Sequence, residues 1–441
     1  MNKKTENKAV SPWQWVPSLY FAQGIPYVVV MSVAVILFKR MGMSNTDIAL
    51  YTSGLNLPWV IKPLWSPLVD LLKTKRWWIV VMQILVGAGL AGIALTIQGP
   101  LAFRYCLAFM WLLAFSSATH DIAADGFYML GLNEKKQAYF VGIRNTFYRF
   151  AVIFGQGILV MFAGWLEQRY AREMPETAAI PQAWSLTFYL LTILFALLFV
   201  YHYLFLPHPR RDTCTLPPQQ ASAGRVFKEF LGTFTSFFQK KHIVSALIFI
   251  LLCRFAEAQL VKITSPFLLD TPATGGLALS TAEVGFIYGT IGVIALTIGG
   301  IVGGIAMARR GLKSCLWTMT IAMNLPNIVY LYLSFARPES IGIISGCVAI
   351  EQFGYGFGFT SLTYFMMLFS NGKHQTAHYA ICTGFMALGL MLPGMISGWI
   401  EESIGYRAFF VWIMLCTIPS FWATHLVRKN LTDNHSDNSS R

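Results

Sequence analysis

Apolar residues fill this chain in long runs, broken at intervals by short clusters of Lys, Arg, Asn, Pro and Gly. A helix rises about 1.5 Å per residue, so about 20 apolar residues cross the ~30 Å hydrocarbon core of a bilayer. The pattern predicts twelve spans, at 14–38, 47–69, 77–97, 101–129, 136–165, 184–206, 243–269, 281–308, 313–335, 340–369, 376–400 and 406–427. The longest polar connection carries Pro207-His-Pro-Arg-Arg-Asp and Pro217-Pro218 and falls between spans six and seven. The expected organisation is an N-terminal six-helix bundle at 1–206, a cytoplasmic linker at 207–242, a C-terminal six-helix bundle at 243–427 and a cytoplasmic tail at 428–441. The fold class is all-α and membrane-integral, with twelve transmembrane helices in two pseudo-symmetric bundles.

The halves repeat weakly. Phe21-Ala-Gln23 in span one matches Phe255-Ala-Glu257 in span seven. Ser44-x-x-Asp47 before span two matches Ser280-x-x-Glu283 before span eight. Both read as helix N-caps with an acid that the helix dipole favours. Asn133 and Gln137 before span five match Asn371 and Gln375 before span eleven. Three matches in order, at a slowly drifting offset, imply parallel repeats, the organisation in which two bundles rock about a midplane site.

Composition agrees with this picture. The chain is 55% hydrophobic and 12% charged, against about 25% charged in a soluble domain. Its net charge of +13 is not a nucleic-acid-binding face. Of the 33 Lys and Arg residues, 21 fall in one set of loops and tails, 7 in the other and 5 inside spans. That asymmetry follows the positive-inside rule and puts both termini and the linker in the cytoplasm of a multi-pass inner-membrane protein. The N-terminus is polar and the first apolar run is long, so no cleavable signal peptide is expected. Seven cysteines are scattered singly and imply neither a disulfide framework nor a metal site. There is no H-E-x-x-H, Walker loop or G-x-S-x-G, so no enzyme, ATPase or cofactor chemistry is expected.

After span two the chain reads Trp65-Ser-Pro-Leu-Val-Asp70-Leu-Leu-Lys73-Thr-Lys75-Arg76. An acid at a helix end followed by a basic cluster resembles the loop signature of the major facilitator superfamily. By that resemblance Asp70, Lys73, Lys75 and Arg76, with Arg309 and Arg310 in the second half, form a conformational latch. More closely, the chain is similar to the AmpG-like permeases. The residues carrying this are Gln23-Gly-Ile-Pro26, Lys62-Pro-Leu-Trp-Ser-Pro-Leu-Val-Asp70, Ser117-Ala-Thr-His-Asp-Ile-Ala-Ala-Asp125 and Glu351-Gln-Phe-Gly-Tyr-Gly-Phe-Gly. The similarity extends over nearly all twelve spans and implies a major facilitator fold that transports anhydromuropeptides or related cargo.

A carboxylate at membrane depth costs about 2.5–3.5 kcal/mol on insertion scales, so it marks function by default. Asp121 and Asp125 are four apart and share one face of span four. Asp121, near mid-depth beside His120, is expected to handle protons or cargo. Asp125, about one turn or ~6 Å nearer the cytoplasm, is expected to form a structural clamp with Arg144 or Arg149 of span five. Span seven brings Arg254, Glu257 and Lys262. Glu257 is a candidate proton carrier, with a self-neutralised Arg254–Glu257 pair as the alternative. Glu351 is expected outward of Asp121, where it would gate the outer half. His120 is a candidate proton relay or a donor to a neighbour. Gln23, with Asn56, Asn324, Asn327 and Gln352, is a candidate cargo contact or interhelical glue. The candidate proton-coupling and cargo residues are thus Asp121, Glu257, His120, Gln23, Arg254 and Glu351.

The expected function is secondary active transport by alternating access, with proton-coupled uptake of a muropeptide-like or related sugar or peptide solute by a monomer. The alternatives are a permease of the same family for a siderophore, acetyl-CoA or an oligosaccharide, and a membrane enzyme of cell-wall metabolism. The enzyme reading needs a clustered acid/base or metal site, whereas the interior charges here are spread over four spans. The expected partners are a small solute, protons and the bilayer, with no nucleic acid and no metal.

Overall fold

The computed structural model describes residues 11–209, 212, 232, 234–372 and 375–439. Twelve long helical segments run through the described residues. They are α1 (Pro12–Arg40), α2 (45–72), α3 (Lys75–Thr96), α4 (Ala102–Gly131), α5 (134–170), α6 (Glu176–Phe205), α7 (Ile243–Leu269), α8 (281–310), α9 (312–336), α10 (Ile341–Phe369), α11 (375–404) and α12 (406–439). They correspond one to one with the predicted spans, and no strand occurs among the described residues.

Local chemistry explains the ends and breaks. Ser44 caps α2 by accepting from the Asp47 amide, and Ser280 caps α8 in a reciprocal capping box with Glu283, so the repeat-matched caps both form. The turns α8–α9 and α11–α12 each hinge on one glycine, Gly311 at φ 71° and Gly405 at φ 76°. That left-handed backbone is open to glycine without steric cost. α2 is interrupted at Leu55-Asn56 and α7 at Cys253-Arg254. α1, α5 and α8 each contain a π-helical turn, at Val29–Val33, Ile153–Ile158 and Gly285–Gly292; such turns widen a helix locally and cluster at functional sites.

The largest apolar cluster draws on both halves and includes Val33, Phe38, Trp184, Phe188, Phe267, Tyr330, Tyr406 and Phe410. Two seams join the halves. Along α5–α8, Gly157 and Gly289 let the backbones touch: a Cβ on Gly289 would strike the Gln156 carbonyl and sit 2.6 Å from the Gly157 amide nitrogen. Along α2–α11, Gly394 meets Ser53 and Gly398 meets the Asn45 carbonyl.

The polar bonds that cross between halves gather at one end of the bundle, hereafter the sealed end. Lys39 of α1 pairs with Asp270 at the end of α7, 2.7 Å apart, and also donates to Asn45 Oδ1 at 2.8 Å. Asn45 Nδ2 donates to Glu401 of α11 at 2.6 Å and to the Tyr406 hydroxyl of α12 at 2.9 Å. Tyr406 in turn donates to Asp270 at 2.5 Å. A second node is Glu167 of α5. It accepts from Arg40 at 3.1 Å, from Trp184 at 2.8 Å and, across the seam, from Thr281 of α8 at 2.7 Å.

Candidate functional site

Between the halves, toward the middle of the bundle, lies a polar surface built on interior charges that most of the helices are too apolar to supply. Asp121 of α4 accepts hydrogen bonds from Gln23 of α1 and from the ammonium of Lys62 of α2. The side chains of Lys62 and Asp121 keep 23% and 22% exposure, so the pair lines an accessible surface. Gln23 reaches it because α1 packs along α4, and its Oε1 has no partner among the described residues. Lys62 was legible as a lone base inside an apolar span, but nothing in its spacing named its partner.

One turn along α4, Asp125 accepts from Tyr20 of α1 at 3.0 Å and pairs with Arg144 of α5 at 3.3 Å. Arg144 also donates to the Tyr20 hydroxyl at 3.0 Å and lies over the rings of Tyr20 and Tyr128, 4.8 and 5.2 Å from their centroids. Of the two arginines expected beside Asp125, Arg144 makes the ion pair, with Tyr20 bonded to both. Arg149 does not join it. Five residues, 500° of helix at 100° per residue, separate Arg149 from Arg144 and turn it to another face. There its guanidinium crosses to the second half and lies 3.8 Å from the Cβ position of Gly300 on α8.

His120 does not face this surface either. It is buried between α4 and α3, its Nε2 3.1 Å from Gln83 Nε2. Gln83 continues to His202 of α6 at 2.8 Å, and His202 to Ser18 of α1 at 3.0 Å. This chain knits four helices of the first half and reads as packing within the bundle.

The second half presents Arg254, at the break in α7, against α10. Its guanidinium donates to the Tyr355 hydroxyl and lies 5.2 and 5.0 Å from the rings of Tyr355 and Phe359. It forms no ion pair with Glu257 among the described residues, so the self-neutralised pair considered as the alternative does not form there. Helical spacing makes such a pair possible, but the break at Cys253-Arg254 aims Arg254 toward α10 instead. Glu257 and Glu351 are 4% and 1% exposed and within electrostatic reach of each other. Glu351 accepts from Tyr330 at 3.2 Å and from Gln352 at 2.9 Å, while Glu257 Oε2 and Glu351 Oε1 have no partner among the described residues. Glu351 thus shares a buried cluster with Glu257. Asn56 and Asn324 donate to backbone carbonyls of their own helices, at 3.1 and 2.9 Å. Between the two walls stand Tyr27, Trp59 and Tyr148, with the Tyr27 ring 5.3 Å from Trp59 and 6.4 Å from Tyr148.

The loop residues are placed differently from one another. The Asp70 side chain and Arg210 and Arg211 lie outside the described residues, as do Lys3, Lys4, Lys8, Arg225, Lys228, Lys373 and Arg441. Lys73 sits 5.9 Å from the Trp77 ring. The amides of Lys75 and Arg76 donate to Asp212, at 2.7 and 3.0 Å, so a linker carboxylate caps α3. The Arg76 guanidinium donates to the Tyr203 and Leu206 carbonyls at the end of α6. Arg309 and Arg310 are exposed. A groove of about 390 Å³ between α3 and α6, lined by Trp77, Val81, Phe199, Tyr203 and His208, lies apart from the polar surface. No cluster of His, Cys, Asp and Glu suited to a metal occurs among the described residues.

A sequence profile described as Major Facilitator Superfamily matches residues 18–377. Among curated proteins, the chain is 25% identical over 415 residues to "Putative transporter AmpG 4" of Rickettsia conorii, covering 92% of this chain and 93% of that one. It is 23% identical over 420 residues to the "Anhydromuropeptide permease" of Escherichia coli K12, covering 94% and 79%. Among solved structures, the D-xylose-proton symporter superposes with a TM-score of 0.69 at 12% identity, over 94% of this chain and 96% of that one. That likeness concerns the fold alone.

Proposed function

Because the chain belongs to the major facilitator superfamily, as an AmpG-like transporter and not an enzyme, we propose that it imports a muropeptide-like solute together with protons by alternating access. The observation that carries this is the Gln23–Asp121–Lys62 triad on the wall between the halves. An ion pair at this depth is costly to strip of water and can be opened by a single proton on Asp121, which frees Lys62. Glu257, with one oxygen unpartnered among the described residues, is the second carboxylate available to a proton.

The sealed end carries the loops poor in Lys and Arg, so we assign it to the outside of the cytoplasmic membrane and the termini to the cytoplasm. The structure is then closed to the outside. Tyr27, Trp59 and Tyr148 offer flat faces against which a sugar ring can pack. The protein acts as a monomer in this reading, its partners being solute, proton and lipid.

The test is uptake into proteoliposomes under an inward proton gradient, with anhydromuropeptides, oligosaccharides, siderophores and acyl-CoA offered side by side. Gradient-dependent accumulation of the anhydromuropeptide is expected. Accumulation of another class alone overturns the cargo, and uptake indifferent to the gradient overturns the coupling.

A further inference from the structure

Asp121 and Asp125, two of the four interior acids, are already paired with Lys62 and Arg144. Arg149 and Arg254 are left without a carboxylate at ion-pair distance among the described residues. They come from opposite halves and converge on Tyr355. Arg254 donates to its hydroxyl and lies over its ring. Arg149 reaches across the seam to Gly300, whose Cβ position is also 3.8 Å from the carbonyl of Gly356, the residue after Tyr355. The Tyr355 hydroxyl is within electrostatic reach of Arg149. Arg254 Nε is buried with no acceptor among the described residues. Glu257, the nearest acid on α7, lies within electrostatic reach of Arg254, but neither it nor Glu351 forms an ion pair with either arginine among the described residues.

Resting on the transporter reading, we propose that Arg149 and Arg254, on either side of Tyr355, form a two-arginine site for an oxyanion of the solute, a carboxylate or a phosphate. A guanidinium presents a planar fork of N–H donors that matches either oxyanion with two bonds. Two guanidiniums with no ion-pair partner among the described residues favour an anion between them, and until one binds their like charge opposes closer approach of the halves on the side away from the sealed end. An oxyanion between them removes the repulsion and gives both halves one shared ligand. Binding and closure are thereby one event, and a neutral analogue that fits equally well would fail to drive it.

The experiment uses the full chain purified in detergent and tryptophan fluorescence as the binding readout. Two matched probe pairs distinguish the oxyanion: an anhydromuropeptide against its amidated form, and N-acetylglucosamine 6-phosphate against N-acetylglucosamine. A charge-assisted contact makes the anionic member bind about tenfold tighter or better in at least one pair. R149Q and R254Q are each expected to erase that ratio, and R149K to keep part of it. A ratio near one in both pairs, or one untouched by R149Q and R254Q, overturns the site. If no probe binds, the cargo reading fails and the site is tested on inorganic phosphate alone. Phosphate is expected to slow phenylglyoxal modification of Arg149, mapped by peptide mass, several-fold in the wild type but not in R254Q. Equal rates with and without phosphate overturn it.

Discussion

Lys39 of α1 and Asp270 of α7 form a 2.7 Å ion pair that ties the first half of the molecule to the second. Their side chains are 15% and 19% exposed, so solvent screens the pair in part. Lys39→Ala should shift the balance away from the sealed state by about 1 kcal/mol, a roughly fivefold change in population. Ser53 is fully buried in the α2–α11 seam and reports that opening. In cells expressing S53C in a background without native cysteines, K39A should raise the labelling rate with a membrane-impermeant maleimide about fivefold. An unchanged rate would mean that the pair does not hold the end shut.

The Lys62–Asp121 pair separates pairing from function. Removing one partner leaves a poorly solvated charge, whereas removing both does not. Lys62→Gln and Asp121→Asn should each lower Tm, and the double variant should recover toward wild type. The cost per single variant is about 1–3 kcal/mol after allowing for the partial exposure of both groups. Uptake should fall at least about tenfold in all three. Wild-type uptake by the stable double variant would show the pair to be structural only.

Gly289 tests the α5–α8 seam. Valine there meets the Gln156 carbonyl and Gly157 backbone, and overpacking of this kind costs about 1–3 kcal/mol. G289V should lower Tm by several degrees and expose S53C to the outside. Gly304, with open space at its Cβ position, is the control: G304A should leave both readouts unchanged.

His120 hydrogen-bonds within the first half and not on the polar surface. His120→Gln keeps an amide able to reach Gln83, so uptake should stay within about twofold and its pH profile should not move. His120→Ala leaves Gln83 short of one partner and should cost about 1–2 kcal/mol of stability. A displaced pH profile in H120Q would return the residue to the proton path.

Spans, halves and caps were readable because membrane burial imposes one rule on every helix: long apolar runs with charges at the ends. Ser44 and Ser280 could be recognised because a cap is local, three residues of backbone chemistry. The Asp125–Arg144 pair followed from adjacency of α4 and α5. What escaped was contact between elements distant in sequence. Lys62 and Asp121 are 59 residues apart, and Gln23 and Asp121 are 98. The break at Cys253-Arg254 re-aims one side chain and so undoes the alternative Arg254–Glu257 pair, although neither residue looks unusual for a helix. His120 illustrates the same limit from the other side. Its neighbour Asp121 faces the site, yet 100° of helical rotation places His120 inside the bundle.

Gly311 and Gly405 each close an interhelical turn with a single residue. Helices joined so tightly leave no loop for the translocation machinery to retain on one side while it handles the next span. We expect α8 with α9 and α11 with α12 to partition into the bilayer as hairpins. Biogenesis of the second half then has four insertion events for six helices: α7, a hairpin, α10 and a hairpin. An added residue at either glycine should be felt first as a defect of insertion and yield, before any effect on transport.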